Sequence, residues 1–149
     1  MTIVPGLALA GEGLIMAFED SFRLSSHAVI LNEKQEILLL RATYGDLSWG
    51  LPGGALEPGE TIHEALEREC YEETRLELES ALLTGVYYHR KFNSQAFIFR
   101  CKPRNPGAIA LSSEHSEYKF FPLDTLGEVQ RIRVSDCLRF SGEVISRKF

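Results

Sequence analysis

The sequence of 149 residues lacks the features that mark several specialised classes of protein. It has three cysteines and no CxxC pair, so neither a zinc site nor a disulfide framework is expected, and a reducing, cytoplasmic setting is favoured. No Lys or Arg occurs in the first 22 residues, and Pro5 and Gly6 interrupt the apolar stretch there. A secretory signal peptide is therefore not expected, and no run is long enough to predict a membrane span.

Basic residues are outnumbered by acidic ones, which gives the sequence a net charge of -5. A nucleic-acid groove would need a basic face, so no nucleic-acid partner is expected. An acidic protein can still hold a phosphate-bearing small molecule if divalent cations stand between the two. The 44% hydrophobic and 25% charged residues are ordinary for a globular protein, and the length fits one domain over residues 1–149.

The apolar runs and turn residues predict several strands separated by only two helices. Strands are predicted at residues 22–31, 36–41, 83–91, 95–102 and 117–121, with a short extended piece at 49–54. Helices are predicted at residues 61–74 and 134–146, and loops at 44–48 and 103–107. This order of elements indicates an α/β (α+β) fold, a sandwich of helices packed on a mixed β-sheet in a single domain.

The first predicted helix has an unusual apolar face. Thr61 and Glu64 have the spacing of a capping box, which predicts that the helix begins there. Helical spacing places the following residues on one stripe: Ile62, Ala65, Leu66, Glu69, Glu73 and Leu76. Two carboxylates therefore occupy positions where the pattern predicts core residues.

The pair Glu69 and Glu73 needs a counter-charge if it is half-buried. Like charges on an exposed helix cost only about 0.2–0.5 kcal/mol, but burial raises that cost. Arg68 has the spacing to pair with Glu72, and helix geometry predicts that it points away from Glu69 and Glu73. A divalent cation such as Mg²⁺, or Mn²⁺ in its place, would remove the conflict, because both ions prefer hard oxygen ligands.

The segment before this helix adds glycines and carboxylates. Gly53 and Gly54 allow the backbone to approach a ligand closely, since no side chain stands in the way. Glu57 and Glu60 bring further carboxylates to the start of the helix. A Gly-Gly pair alone is common in turns, but next to the glutamate-bearing helix it favours a binding site.

These residues together resemble the signature of the Nudix (MutT-type) hydrolase family. The positions that match in register are Gly54, Glu60, Arg68-Glu69-Cys70, Glu72-Glu73 and Leu76. The preceding residues 49–53 and the intervening Glu57-Pro58-Gly59 are also similar to Nudix sequences. One position departs, because Arg75 stands where the signature has a glycine that closes the helix in a left-handed conformation. Either Arg75 adopts that conformation at a cost, or the helix continues past it.

The resemblance implies a metal-dependent hydrolase acting on a small nucleotide: a nucleoside diphosphate linked to another moiety, whose pyrophosphate bond is split by water. The implied Mg²⁺ or Mn²⁺ ligands are Glu69, Glu72, Glu73, Glu57 and the Gly53 carbonyl. It also implies orienting roles for Glu60 and Arg68.

The general base stays open at this stage. Glu69 or Glu72 is the first choice, and Glu114 or Glu117, which precede the strand at 118–121, are alternatives. His115 lies between these two glutamates, but a loop histidine is more often a solvated surface residue.

On the substrate side, Gly53, Gly54, Arg41 and Trp49 are candidate contacts. Arg41 would contact phosphate, or it is an ordinary charge at a strand end. Trp49 would stack on a base, although aromatic residues in strands usually pack in a core. Cys70 fills a hydrophobic position and is interpreted as packing rather than as a nucleophile.

Two alternatives to an enzyme follow from the same residues. A nucleotide-sensing module with the same fold would bind its ligand without turnover, and a purely structural domain would leave the carboxylates on the apolar stripe unexplained. The sequence does not reveal the moiety linked to the nucleoside diphosphate. The apolar segment at residues 3–10 would either cover a neighbouring subunit in a homodimer or pack on its own sheet.

Overall fold

The computed structural model describes residues 18–149, so the predicted roles of residues 3–10 lie outside the described part. The strands are β1 (Arg23–Ile30), β2 (Ile37–Ala42), β3 (Trp49–Gly50), β4 (Gly53–Ala55), β5 (Leu78–His89), β6 (Ser94–Pro103), β7 (His115–Phe121) and β8 (Ile145–Lys148). The helices are α1 (Ile62–Thr74) and α2 (Glu128–Leu138), and short 3-10 turns follow β5 and β7. Within residues 18–149, no helix is long and apolar enough to cross a membrane.

The strands form two sheets. A five-stranded mixed sheet has the order β4-β1-β6-β5-β8, in which β1 runs parallel to β6 and β5 runs parallel to β8. A three-stranded antiparallel sheet has the order β3-β2-β7. The predicted turn between β1 and β2 is present, and Asn32 closes it by accepting hydrogen bonds from the backbone N–H groups of Lys34 and Glu36. The short strands β3 and β4 lie at the edges of their respective sheets, two residues apart in the chain.

Two hydrophobic clusters lie on opposite faces of the strands, because successive strand residues point in opposite directions. In β2, Leu38 and Leu40 join the cluster under α1, whereas Ile37 and Leu39 join the cluster under α2. The first cluster also contains Leu66, Cys70, Leu76, Phe99 and Cys101. The second also contains Val29, Tyr87, Ile98, Val134 and Cys137. The predicted sandwich of helices on a mixed sheet is confirmed.

Helix α1 has the predicted beginning and a defined end. The capping box is formed, since the Thr61 hydroxyl accepts from the Glu64 N–H and the Glu64 carboxylate accepts from the Thr61 N–H, both at 3.1 Å. The helix ends at Arg75, which adopts the left-handed conformation with φ 62°. Its guanidinium lies 4.9 Å from the ring centroid of Tyr71, a cation–π contact that offsets part of the cost of this conformation. The alternative of a continuing helix is wrong.

The predicted C-terminal helix at residues 134–146 is wrong in its limits. Helix α2 begins after Gly127 and ends at Leu138, and the chain then turns through Gly142, at φ +110°, into strand β8. Among the strands of residues 18–149, β8 pairs with β5 alone, a partner distant in sequence, so no local pattern marks it. Strand β5 likewise begins at Leu78 rather than residue 83, with irregular pairing that breaks the alternation of its side chains.

Candidate active site

Glu73 is the most buried carboxylate of the α1 face, with a side chain only 7% exposed. Its Oε1 accepts a hydrogen bond from the Gly53 N–H at 2.7 Å, and its Oε2 lies 3.6 Å from Nε2 of His115. Burial, with the nearby charges of Glu69 and Glu114, raises the pKa of Glu73 to about 8, although the Gly53 N–H opposes the shift. As the sequence predicts, α1 therefore carries on its apolar face a carboxylate that burial makes costly to ionise.

Glu69 lies beside Glu73 with a side chain that is 16% exposed. Burial also raises the pKa of Glu69, against the opposing effect of Arg68. The carboxylate packs against Gly54, where an added Cβ would lie 2.6 Å from the Glu69 Cδ. Gly54 is thus needed for the close approach of the β4 backbone to this carboxylate.

Gly53 is required for a different reason. Its φ of +144° is a conformation that other residues rarely adopt, and an added Cβ would meet the Ser26 carbonyl oxygen at 2.1 Å. This backbone turn directs the Gly53 N–H at Glu73. The two glycines therefore allow the start of β4 to lie against Glu69 and Glu73 of α1.

The Arg68 guanidinium contacts several of the carboxylates, including Glu69. The prediction that Arg68 points away from Glu69 is therefore wrong. Its Nη1 lies 3.0 Å from Glu69, 3.2 Å from Glu72 and 3.8 Å from Glu57. The other edge of its guanidinium binds Glu60 in a bidentate manner, at 2.6 and 2.9 Å, and donates to the Ala55 carbonyl at 3.1 Å.

This network has two consequences. The pairing with Arg68 lowers the pKa of Glu60 to about 2. The anchoring on Glu60 and Ala55 pulls the long side chain of Arg68 across the helix, which helical spacing alone does not show.

The residues present suit a divalent cation in their chemistry. The donors are hard carboxylate oxygens, and the pKa values of Glu69 and Glu73 are raised, chiefly because burial disfavours the charged form of each carboxylate. As placed, no three His, Cys, Asp or Glu side chains of residues 18–149 have the geometry to hold a metal, and Arg68 Nη1 occupies the position between Glu57, Glu69 and Glu72. Binding a cation there would require Nη1 to withdraw towards Glu60.

The loop between β6 and β7 docks on the C-terminal end of α1. The Ser112 N–H donates to the Glu73 carbonyl at 3.3 Å and the Ala110 N–H donates to the Thr74 carbonyl at 2.9 Å. Glu114 is thereby close enough for its charge to raise the pKa values of Glu69 and Glu73.

His115 is not the solvated surface residue suggested by its loop position. It is largely buried beside Glu73, its pKa is lowered by burial, and its Nδ1 has no partner among the described residues. The sequence marks it only by its place between Glu114 and Glu117.

Glu117 and Arg41 lie on the three-stranded sheet and pair with each other. They are cross-strand partners on β7 and β2, joined by a 3.0 Å ion pair in which both side chains are largely exposed. Trp49 pairs with Arg41 across β3 and β2, and its ring packs edge-on against Phe121 at 5.0 Å. The structure therefore places Glu57, Glu69 and Glu72 around Arg68, Gly54 against Glu69, and Gly53 against Glu73. The charge of Glu114 acts on Glu69 and Glu73, whereas Arg41, Trp49 and Glu117 lie on the three-stranded sheet.

Cys70 is fully buried in the cluster under α1, and burial raises the pKa of its thiol. A thiol held protonated in an apolar environment is a poor nucleophile. Its interpretation as a packing residue is in keeping with this environment.

Comparison with known proteins gives one consistent match. The model of the NUDIX domain matches residues 21–136. A MutT-like protein of Streptomyces ambofaciens is 35% identical over 123 residues, which are 80% of this chain and 79% of that protein. The human 8-oxo-dGDP phosphatase NUDT18 is 39% identical over 92 residues, but these are 60% of this chain and only 28% of the human protein. The chain therefore spans most of the first relative and less than a third of the second.

Solved structures agree on the fold. An ADP-ribose pyrophosphatase from Streptococcus suis 89-1591 superposes with a TM-score of 0.72 at 24% identity, covering 85% of this chain and all of that one. At this identity the likeness shows the architecture alone, including the two helices on mixed sheets.

Proposed function

The chain belongs to the Nudix family of pyrophosphohydrolases, and from this premise we propose that it uses Mg²⁺, with Mn²⁺ as a substitute, to split the pyrophosphate bond of a nucleoside diphosphate linked to another moiety. Nudix hydrolases generally use divalent metal ions and act on small nucleotides. The observation that carries the proposal is the burial of Glu73 beside Glu69, two carboxylates on the packed face of α1 whose pKa values burial raises.

The ligands proposed for the cation are Glu69, Glu72 and Glu73, with Glu57 and the Gly53 carbonyl as further oxygen donors. When bound, a divalent cation supplies neutralisation of phosphate charge and polarisation of the P–O bond. Arg68 would then remain anchored on Glu60 and the Ala55 carbonyl, where it keeps Glu60 ionised and helps to orient the α1 carboxylates.

The chain's own residues must also place the substrate and accept a proton. The glycine pair at the start of β4 lets the backbone lie close to the α1 carboxylates, where its groups can help to position the pyrophosphate. Water attacks one phosphorus, the P–O–P bridge breaks, and the proton of the water passes to a carboxylate. Glu69 or Glu72 is the proposed acceptor, and Glu114 is the alternative because its charge reaches both Glu69 and Glu73. Glu117 is a weaker candidate, since it is paired with Arg41 on the other sheet.

A substrate panel tests this proposal. The purified protein is given nucleotide sugars, ADP-ribose, dinucleoside polyphosphates and nucleoside triphosphates with Mg²⁺ or Mn²⁺, and products are separated by ion-exchange chromatography. We expect a nucleoside monophosphate among the products of at least one substrate. If every member of the panel stays intact, the proposal is wrong. Tight binding of one member without turnover, unaffected by Glu72→Gln, would instead support a nucleotide sensor.

A further inference from the structure

Strand β7 lies at an edge of the three-stranded sheet, whose order within residues 18–149 is β3-β2-β7. Its middle residues, 116–119, are all exposed, so solvent reaches both faces of the strand. The irregularity in its pairing with β2 lies near its beginning, and residues 117–121 pair regularly. The outer edge of such a strand carries backbone N–H and C=O groups that form a template for pairing with another strand.

The exposed charges of β7 differ in sign along one face. Glu117 and Lys119 are two residues apart and therefore point to the same side of the sheet. The Arg41 guanidinium of β2 pairs with Glu117 at 3.0 Å. None of the ion pairs found in residues 18–149 includes Lys119, whose ammonium lies 5.2 Å from the ring centroid of Phe121. This face of the strand thus presents a carboxylate and, two residues on, a cation without a carboxylate partner.

These two positions are complementary to themselves when two copies of the strand pair antiparallel. If the two-fold axis passes through Tyr118, Glu117 of each copy lies opposite Lys119 of the other, and this contact occurs twice. Pairing centred on residue 117 would place Glu117 opposite itself, and pairing centred on residue 119 would place Lys119 opposite itself. Like charges directly opposite each other destabilise a strand pair. Charge therefore favours the register centred on Tyr118.

Tyr118 suits the centre of such a pairing. It is 46% exposed, and its side chain points to the face opposite to that of Glu117 and Lys119. In this register the two Tyr118 rings lie opposite each other, and a cross-strand aromatic pair stabilises the pairing. Each Glu117 lies at the same time between Arg41 of its own chain and Lys119 of the second copy, so that cations compensate its charge from both sides.

We propose that two copies of this chain associate through antiparallel pairing of their β7 strands, centred on Tyr118. The three strands of each copy then form one continuous antiparallel sheet. A strand of seven residues is small beside the interfaces of stable complexes, which bury about 1,200–2,000 Å². The dimer is therefore weak, and its population rises with protein concentration. This pairing does not depend on hydrolysis, so its failure and the failure of the proposed function are separate results.

Charge variants of the full chain test the register, with the dissociation constant of the dimer measured by sedimentation equilibrium. Glu117→Lys or Lys119→Glu alone places like charges opposite each other twice, and each should weaken the dimer at least about ten-fold. The double variant, in which the two charges are exchanged, should recover most of the affinity. The matched control is Lys102→Glu, an exposed lysine of β6 in the other sheet, which changes the net charge as Lys119→Glu does and should have little effect.

Disulfide formation tests the position of the two-fold axis independently. In the proposed register the two Tyr118 Cα atoms lie about 4.5–5.5 Å apart, a separation that a disulfide spans, whereas the two Ser116 Cα atoms lie about 14 Å apart. Tyr118→Cys should therefore give a covalent dimer on mild oxidation, and Ser116→Cys should not. The three native cysteines are buried and should not contribute.

Three results would overturn the proposal. The first is a monomer at every protein concentration up to about 1 mM. The second is a dimer that the single charge variants do not weaken, or that the double variant leaves as weak as they do. The third is oxidation that links two copies as readily through residue 116 as through residue 118, because the copies would then meet at another surface or in another register.

Discussion

At the residue scale, the guanidinium of Arg68 offsets only part of the negative charge of the carboxylates in the candidate site. Glu73 and Glu69 lie on the packed face of α1, while Arg68 reaches across to neutralise Glu57, Glu69 and Glu72 in part. Within residues 18–149, the partners of the Glu73 carboxylate are the Gly53 N–H and His115, whose pKa burial lowers, so no Lys or Arg there pairs with it. The stability of the protein without a divalent cation should therefore depend on the protonation of Glu73.

The pH dependence of unfolding follows from the raised pKa of Glu73. Because the folded pKa of about 8 exceeds the ordinary value of 4.5, Glu73 contributes stability that is fully present below pH 4.5 and is lost as the pH rises through 8. In EDTA, urea titrations should show a decrease on the order of a few kcal/mol over this window, and Glu73→Gln should reduce it. Added Mg²⁺ should also reduce it. An equal decrease in Glu73→Gln would show that other groups cause it.

Arg75 shows the cost of departing from the glycine of the signature. Its left-handed conformation costs a non-glycine residue roughly 1–2 kcal/mol, and the contact with Tyr71 recovers about half of that. Arg75→Gly should therefore raise the free energy of unfolding by about 0.5–1 kcal/mol in urea titrations. Arg75→Ala is the control, since it keeps the Cβ but loses the ring contact, and it should not stabilise. A destabilised glycine variant would contradict this explanation.

At the scale of elements, α1 could be predicted from the sequence and the C-terminal elements could not. The limits of α1 follow from local signals, namely the capping box at Thr61 and the glycine-like position of Arg75. Helix α2 has no side-chain cap at Gly127 and a weak apolar stripe, so the sequence does not mark its start. Strand β8 is stabilised by its parallel pairing with β5, which is distant in sequence. A local sequence pattern cannot reveal such a pairing.

Asp136 on α2 forms an ion pair with Arg147 on β8. Its carboxylate accepts from Arg147 at 2.7 and 3.0 Å and from the buried Tyr87 hydroxyl at 2.9 Å. Asp136→Ala should lower the free energy of unfolding by about 1–3 kcal/mol, because the Tyr87 hydroxyl loses its acceptor. Asp124→Ala, at an exposed position, should change it by less than about 0.5 kcal/mol. Thermal unfolding of both variants measures the difference, and equal stability would mean that Asp136 does not hold the strand.

At the scale of the whole molecule, the sequence predicted the sandwich and the glutamate face but not how the strands divide between two sheets. Strands β1 and β2 are joined by a tight turn yet belong to different sheets, so Trp49 and Arg41 lie on the sheet that does not contain β4. The long reach of Arg68 and the burial of His115 also depend on tertiary packing. A pattern of spacing can place residues on a face, but it cannot show which distant groups meet them.

The central claim is that the α1 carboxylates hold a divalent cation for pyrophosphate cleavage. The most direct measurement is the initial rate on an active substrate against Mg²⁺ concentration, for the unmodified protein, Glu72→Gln and Glu67→Gln, an exposed glutamate of the same helix. We predict no turnover in EDTA, saturable activation by Mg²⁺, a loss of at least about 100-fold in Glu72→Gln, and little change in Glu67→Gln. Equal rates with EDTA and Mg²⁺, or an unimpaired Glu72→Gln, would contradict the claim.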